Sequence, residues 1–264
     1  MNWHDRYLQQ AAWTRGLRDY LFGKTKLSRA ESVLEVGCGT GAILSTWRTS
    51  ASLTCTAPHL PRTAGAGNAV RCKCHGLDLD AAALNETHLH VPTAFLTCGN
   101  AHALPYSNQS FDIVYCHFLL LWVNDPLHVL IEMKRVTKSS GYVLALAEPD
   151  YTTRTDQPDE LLVLGRLQNE SLQRQGADIS LGVRLADLFF RAGIKIVETG
   201  AIQSWEKDAL SSEEWQNEWA VIESDLTESV TEKEIARLKE LDEEAQLRGT
   251  RVLNVPTYFA WGQV

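Results

Sequence analysis

Long hydrophobic runs are missing from this 264-residue chain. No stretch approaches the roughly 18 apolar residues of a membrane span. The opening residues, MNWHDRYLQQ, lack the apolar core of a secretory signal. Positive charge is also short: 25 Lys and Arg stand against 33 Asp and Glu, a formal net charge of −8. A nucleic-acid backbone is bound by basic patches, so nucleic acid is not expected as a partner. The six cysteines are irregularly spaced, which points to reduced thiols in a cytoplasmic protein rather than to a disulfide framework. With 44% apolar residues the chain can bury a full core, and one domain with embellishments is the natural reading.

What the chain does have is VLEVGCGTG at 33–41. Val33, Leu34 and Val36 read as a short buried strand of a parallel sheet. Gly37, Gly39 and Gly41 follow at once, where the backbone can take positive φ and a ligand can approach without meeting a Cβ. Glu35 lies two residues before the first glycine, at the carboxyl end of the strand, where open α/β sheets bind ligands. Gly37, Gly39 and Ala42 also fit the dinucleotide pattern G-x-G-x-x-G/A. A carboxylate at 35 repels a pyrophosphate, however, and suits a cationic ligand.

The turn resembles motif I of the class I S-adenosylmethionine-dependent methyltransferases, E/D-x-G-x-G-x-G, at Glu35, Gly37, Gly39 and Gly41. Further matches follow in the family's order over 31–150. CHGLDLD at 74–80 reads as a second strand whose Asp78 falls where the family's acid takes both ribose hydroxyls, with Asp80 as the N-cap of the helix that follows. AFLTCGNAHALPY at 94–106 resembles the third strand and its G-D-A-x-x-L-P-F/Y segment, with Asn100 in place of the aspartate. FDIVYCHFLLLWV at 111–123 supplies the fourth strand. Asp125 and Pro126 start a helix whose buried face takes Leu127, Leu130 and Val136 and which stops at Ser139–Ser140–Gly141. Tyr142–Ala147 is the fifth strand. The resemblance implies a doubly wound, seven-stranded, mostly parallel Rossmann-like sheet with an antiparallel last strand at Thr257–Gln263, and S-adenosylmethionine as cofactor. Cys38, Leu79 and Ala101 complete the implied cofactor set.

Three regions lie outside those motifs. Residues 1–30 read as one or two helices with Tyr7, Leu8, Ala11, Ala12 and Leu17 as an apolar stripe. The family places such a segment across the cofactor as a lid, with Tyr7, Trp13 and Arg15 as candidates. Each serves equally well as packing for a covering helix. Residues 31–264 form the methyltransferase domain, in which 48–72 is an insertion without periodicity or a gene-model artefact. The segments 151–192 and 205–250 are helical additions that build the acceptor pocket. Within them, 157–175 and 183–192 read as helices and the acidic stretch from Trp205 as a solvated helix face; Ile194–Glu198, between them, reads as the sixth strand.

The resemblance implies methyl transfer to a small, partly apolar acceptor, most often at oxygen, as in ubiquinone, menaquinone and secondary-metabolite enzymes. The proline-rich N/D-P-P-Y/F turn of base-modifying relatives is absent, as is the double-glutamate loop of the protein-arginine enzymes. A hydroxyl acceptor gains from a general base, and His117, just past the fourth strand, is the first candidate. Equally, it meets the cofactor through its backbone. Glu148 and Asp150 are alternative bases or acceptor anchors, while His128 sits in a helix and His88 and His90 in a loop. No metal is expected: Cys72, Cys74 and His75, with Cys55, lack the usual zinc spacing, and the metal-binding aspartate of catechol-type relatives is missing. Three alternatives stay open: cofactor use without methyl transfer, as in cyclases of this fold, a nicotinamide oxidoreductase, and a degenerate binding protein. Nothing in the sequence speaks to oligomeric state.

Overall fold

The computed structural model describes residues 3–46, 72–202 and 211–264. The expected insertion therefore lies outside the described residues apart from Cys72, as does the start of the last helical addition. Two compact units make up the chain: one of Asn2–Glu148, Leu185–Gly200 and Phe259–Val264, the other of Pro149–Arg184 and Ala201–Tyr258. The N-terminal helices, α1 (Trp3–Trp13) and α2 (Arg15–Lys24), belong to the first unit.

In that unit β1 (Ser32–Val36) is followed by α3 (Ala42–Thr46), β2 (Lys73–Asp78), α4 (Ala81–His90), β3 (Phe95–Cys98), β4 (Phe111–Cys116), α5 (Pro126–Val136) and β5 (Thr137–Pro149). The second unit contributes β6 (Thr155–Gln157) and α6 (Leu162–Arg174); α7 (Leu181–Arg191), β7 (Lys195–Ile202), α8 (Ser212–Leu226), α9 (Glu232–Leu247), β8 (Val252–Asn254) and β9 (Thr257–Gln263) complete the order. Seven strands form one sheet in the order β3-β2-β1-β4-β5-β9-β7, mostly parallel with the last strand antiparallel. β1 sits between β2 and β4, with Leu34 opposite His75 and Val114. Central strands of a parallel sheet are covered on both faces, which is why Val33, Leu34 and Val36 are all buried.

The local signals act as the sequence suggests. Asp80 caps α4 by accepting the Ala82 N–H at 2.8 Å, and Asp125 caps α5 through the His128 N–H at 2.9 Å, with Pro126 in the first turn. Three expectations need correction. α5 ends at Val136, before Ser139, because Thr137 turns extended while its hydroxyl donates to the Met133 carbonyl at 2.7 Å. His88 and His90 belong to α4, not to a loop. Residues 157–161 are not helical throughout: β6 pairs antiparallel with β8, Asp156 opposite Leu253, before α6 begins.

The buried face of α1 and α2 also differs from the apolar stripe. Tyr7 and Ala12 are exposed, while His4, Arg6, Ala11, Thr14, Arg18 and Leu21 are buried. Among the described residues no helix is long and apolar enough to cross a membrane.

Candidate active site

Strand β1 ends in a turn whose three glycines all have left-handed backbones: φ is 74° at Gly37, 50° at Gly39 and 80° at Gly41. The turn is closed by the Gly41 N–H donating to the Cys38 carbonyl at 2.8 Å. It is anchored to β2 by the Gly37 and Cys38 N–H groups, both on the Leu77 carbonyl. Asp78 ties the same turn from its side chain, accepting the Gly39 N–H at 2.7 Å and the Asp80 N–H at 3.0 Å. At Gly37 a Cβ would stand 2.7 Å from Leu119 Cδ1, and at Gly41 2.8 Å from Thr87 Cγ2. Gly39 faces only the Tyr7 ring, at an ordinary 3.7 Å. Gly37→Ala and Gly41→Ala are each expected to lower stability by about 1–3 kcal/mol, from strained φ and steric conflict. Urea unfolding checks this, and midpoints equal to wild type would refute it.

Glu35 is buried just behind the turn, 2% exposed. It accepts a hydrogen bond from the Tyr115 hydroxyl at 2.9 Å. Burial raises its pKa to about 8; the Tyr115 bond and the Arg18 charge pull the other way without cancelling it. Arg18 itself is 2% exposed and donates to the Ala11 carbonyl and, at 2.7 Å, to Thr14 Oγ1. Thr14 Oγ1 in turn lies 2.9 Å from His117 Nε2. At the other end of α1, His4 Nδ1 is 2.9 Å from Thr40 Oγ1 of the turn, and its ring stacks on His90 at 3.5 Å. The N-terminal helices are thus bonded to the glycine turn and to the end of β4 by buried polar side chains.

His117 sits at the exit of β4. Burial, with the Arg18 charge second, lowers its pKa to about 3, so the ring is neutral at physiological pH and a weak proton acceptor. Glu148, at the end of β5, is fully buried and accepts the backbone N–H groups of Leu119, Leu120 and Leu121 at 3.2, 3.1 and 3.3 Å.

A glycine turn after a central parallel strand, an acid on the next strand holding that turn, and helices bonded across it make a ligand cradle. The family described as "Methyltransferase domain" matches residues 34–145. Residues 34–145 form a methyltransferase domain. It is 30% identical over 139 residues to the malonyl-(acyl-carrier protein) O-methyltransferase of Erwinia billingiae, an alignment covering 52% of this chain and 47% of that protein. The chain spans about half the length of the curated relatives it matches, 40% and 47% in two of them. A Galdieria sulphuraria structure, provisionally named a sarcosine dimethylglycine methyltransferase, aligns with a TM-score of 0.55 at 16% identity, over 94% of this chain and 84% of that one. The [4+2]-cyclase SpnF aligns with a TM-score of 0.54 at 17% identity, over 97% and 83%. At such identities the likeness is one of fold.

Within the methyltransferase domain, Glu35, Gly37, Cys38, Gly39, Gly41 and Asp78 come together at one turn, and Tyr7 lies over it. Leu79 projects into solvent, 71% exposed. Asn100 is exposed, its Oδ1 accepting the His102 N–H at 2.9 Å, and Ala101 follows it half-buried. Arg15 points to solvent and Trp13 packs under the Arg6 guanidinium. Asp150 is spent on Thr152 and Thr153 in the second unit. His75 stacks on Phe95 at 5.0 Å inside an aromatic cluster. Among the described residues no group of three His, Cys, Asp or Glu is placed to hold a metal ion. Thr14 and Arg18 are the site residues the sequence did not single out. Their signal was position: Ala11, Thr14, Arg18 and Leu21 recur on one helix face.

Proposed function

We propose that this protein binds S-adenosylmethionine at the glycine turn and transfers its methyl group to a small-molecule acceptor, most often at oxygen. The observation that carries the reading is the Gly39–Asp78 bond. It fixes an open, left-handed glycine beside a half-exposed carboxylate with lone pairs left for vicinal hydroxyls. The residues fit such a ligand: a side chain at Gly39 would fill the cradle, Asp78 would take the ribose hydroxyls, and Glu35, largely protonated at neutral pH in the ligand-free protein, would ionise beside a bound cation. Arg18 and Tyr7 would close the site from the N-terminal helices. When bound, the sulfonium supplies an electrophilic methyl group, so positioning of the acceptor accounts for much of the rate.

His117 and Glu148 were candidate bases. The reading now gives His117 a hydrogen-bonding role, because its ring is held well below neutrality and its Nε2 meets Thr14. An acceptor oxygen that is already acidic, a carboxylate or phenol, suits a site of that kind. The O-methylation for which the Erwinia billingiae relative is named has the same chemistry. The weak base equally favours a second reading, in which the cofactor is held without transferring its methyl group.

Calorimetric titration with S-adenosylhomocysteine, with NAD as control, tests the reading. Wild type is expected to bind S-adenosylhomocysteine and not NAD, and Asp78→Ala to weaken binding by about tenfold or more, as loss of charged hydrogen bonds implies. Failure of wild type to bind would overturn it. Conversion of S-adenosylmethionine to S-adenosylhomocysteine in the presence of an acceptor then separates methyl transfer from non-reactive use.

A further inference from the structure

Glu148 is a buried carboxylate whose partners are backbone. Its Oε1 accepts from Leu119 and Leu120, its Oε2 from Leu121, and the Cys116 thiol lies 3.9 Å from Oε1. Three successive N–H groups aimed at one carboxylate make an anion nest, and here the anion belongs to the protein. The chain entering that nest is constrained: Phe118 has a left-handed backbone, φ 52°, with its N–H on the Ala147 carbonyl at 3.0 Å. A non-glycine residue held there needs surroundings that over-determine it.

The nest connects outward at two points. Leu119, whose N–H it holds, is the side chain that fills the space above Gly37. His117, just before Phe118, reaches Thr14 between α1 and α2. We propose that Glu148 is a positioning residue: by holding Leu119–Leu121 it sets Leu119 as a wall of the glycine turn and His117 as the anchor of the N-terminal helices. It touches neither cofactor nor acceptor. The proposal rests on the reading of the glycine turn as a cofactor site.

The role predicts a pH signature. Burial raises the Glu148 carboxyl to about 7 against the pull of the three N–H groups. Protonation replaces an acceptor with an O–H that faces donors, and the nest loosens. The titratable group facing it from β4 is Cys116, whose thiol burial pushes up and keeps neutral; Glu35 on β1 bears on that thiol. Glu35 on the neighbouring strand is raised to about 8 and its titration overlaps that of Glu148, so the limb lost in Glu148→Gln, and not the wild-type profile alone, is the part assigned to Glu148.

S-adenosylhomocysteine affinity is to be measured from about pH 6 to about pH 9 for wild type and Glu148→Gln, with hydrogen exchange of the Leu119–Leu121 amides. Wild-type affinity is expected to rise as pH crosses about 7. Glu148→Gln is expected to bind about tenfold more weakly at about pH 8, to lose the rise near 7, and to exchange those amides faster. A variant with faster exchange but wild-type affinity and pH profile would make the nest a local turn only and overturn the positioning role. If wild type binds no S-adenosylhomocysteine, the cofactor reading falls and the role with it, whatever the exchange rates. Should Glu148→Gln not fold, Glu148→Asp serves, keeping the titration with weaker affinity; loss of its pH limb would overturn the role.

Discussion

Glu35→Gln is expected to make the ligand-free protein more stable at about pH 9 and to leave it nearly unchanged at about pH 4.5. The folded protein holds the Glu35 proton up to a pKa of about 8, whereas the unfolded chain releases it near 4.5. Between those values the folded state binds more protons than the unfolded state, so stability falls as pH rises through the window and the full cost is present above it. At about 1.4 kcal/mol per pKa unit the cost reaches about 3–5 kcal/mol. Glutamine removes the charge and keeps an oxygen for the Tyr115 hydroxyl. Loss of a buried partner for Arg18 opposes the gain, yet the raised pKa is already net of the Arg18 attraction, so the gain wins. Glu148 pushes in the same direction between about 4.5 and about 7, but it is present in both proteins and cancels. Urea unfolding at the two pH values decides the matter. A variant no more stable than wild type at about pH 9 would mean that Glu35 is solvated in solution. The same substitution is expected to weaken S-adenosylhomocysteine binding, which sets the stability of the empty site against its use.

The parts of this molecule that could be read from sequence are those where one residue type answers one geometric need. Left-handed backbone at 37, 39 and 41 calls for glycine, helix starts at 81 and 126 call for an aspartate ahead of them, and a strand covered on both faces is apolar throughout. The Thr257–Gln263 strand, TYFAWGQ, follows from the family resemblance and not from such a pattern. The rest was hidden where polar residues are buried. His4, Thr14 and Arg18 occupy the inner face of α1 and α2, so the apolar stripe that marks an amphipathic helix is broken by the residues that matter at the site. Arg15, the more conspicuous candidate, lies outside. Glu148 reads as an alternative base or acceptor anchor because glutamate is usually exposed or reactive; only the three N–H groups around it give it another role. The three-residue strands β6 and β8 are too short to show alternation, and they exist because they face each other.

The second unit holds the other large expectation: Asp242→Ala should destabilise it by about 3–5 kcal/mol, the cost of stranding a buried charge partner. Asp242 is 5% exposed and accepts from Trp215 Nε1 at 2.7 Å, Trp219 Nε1 at 2.8 Å and Arg251 Nε at 2.5 Å. Arg251 also reaches Asp156 at 2.9 Å, and Asp156 takes Arg154 at 2.7 Å. One aspartate on α9 therefore joins two indoles of α8 to the β6–β8 pair through a chain of alternating charges. Trp219 lies at the centre of the apolar cluster of that unit, with Leu161, Leu164, Ile222, Leu226 and Leu238. Removing the carboxylate leaves both indole N–H groups without their acceptor and leaves Asp156 alone to balance the buried Arg154 and Arg251. No small shift of α6 repairs it, because Gly165 already lies against the Asp156 carboxylate so closely that a methyl there would collide. Arg248→Ala, which breaks an exposed pair with Glu244 at the C-terminal end of α9, is the control and should change stability by no more than about 0.5 kcal/mol. Denaturant unfolding followed by tryptophan fluorescence measures both. Equal midpoints for the two variants would show that the ion chain is solvated and that the apolar cluster alone holds α8 to α9.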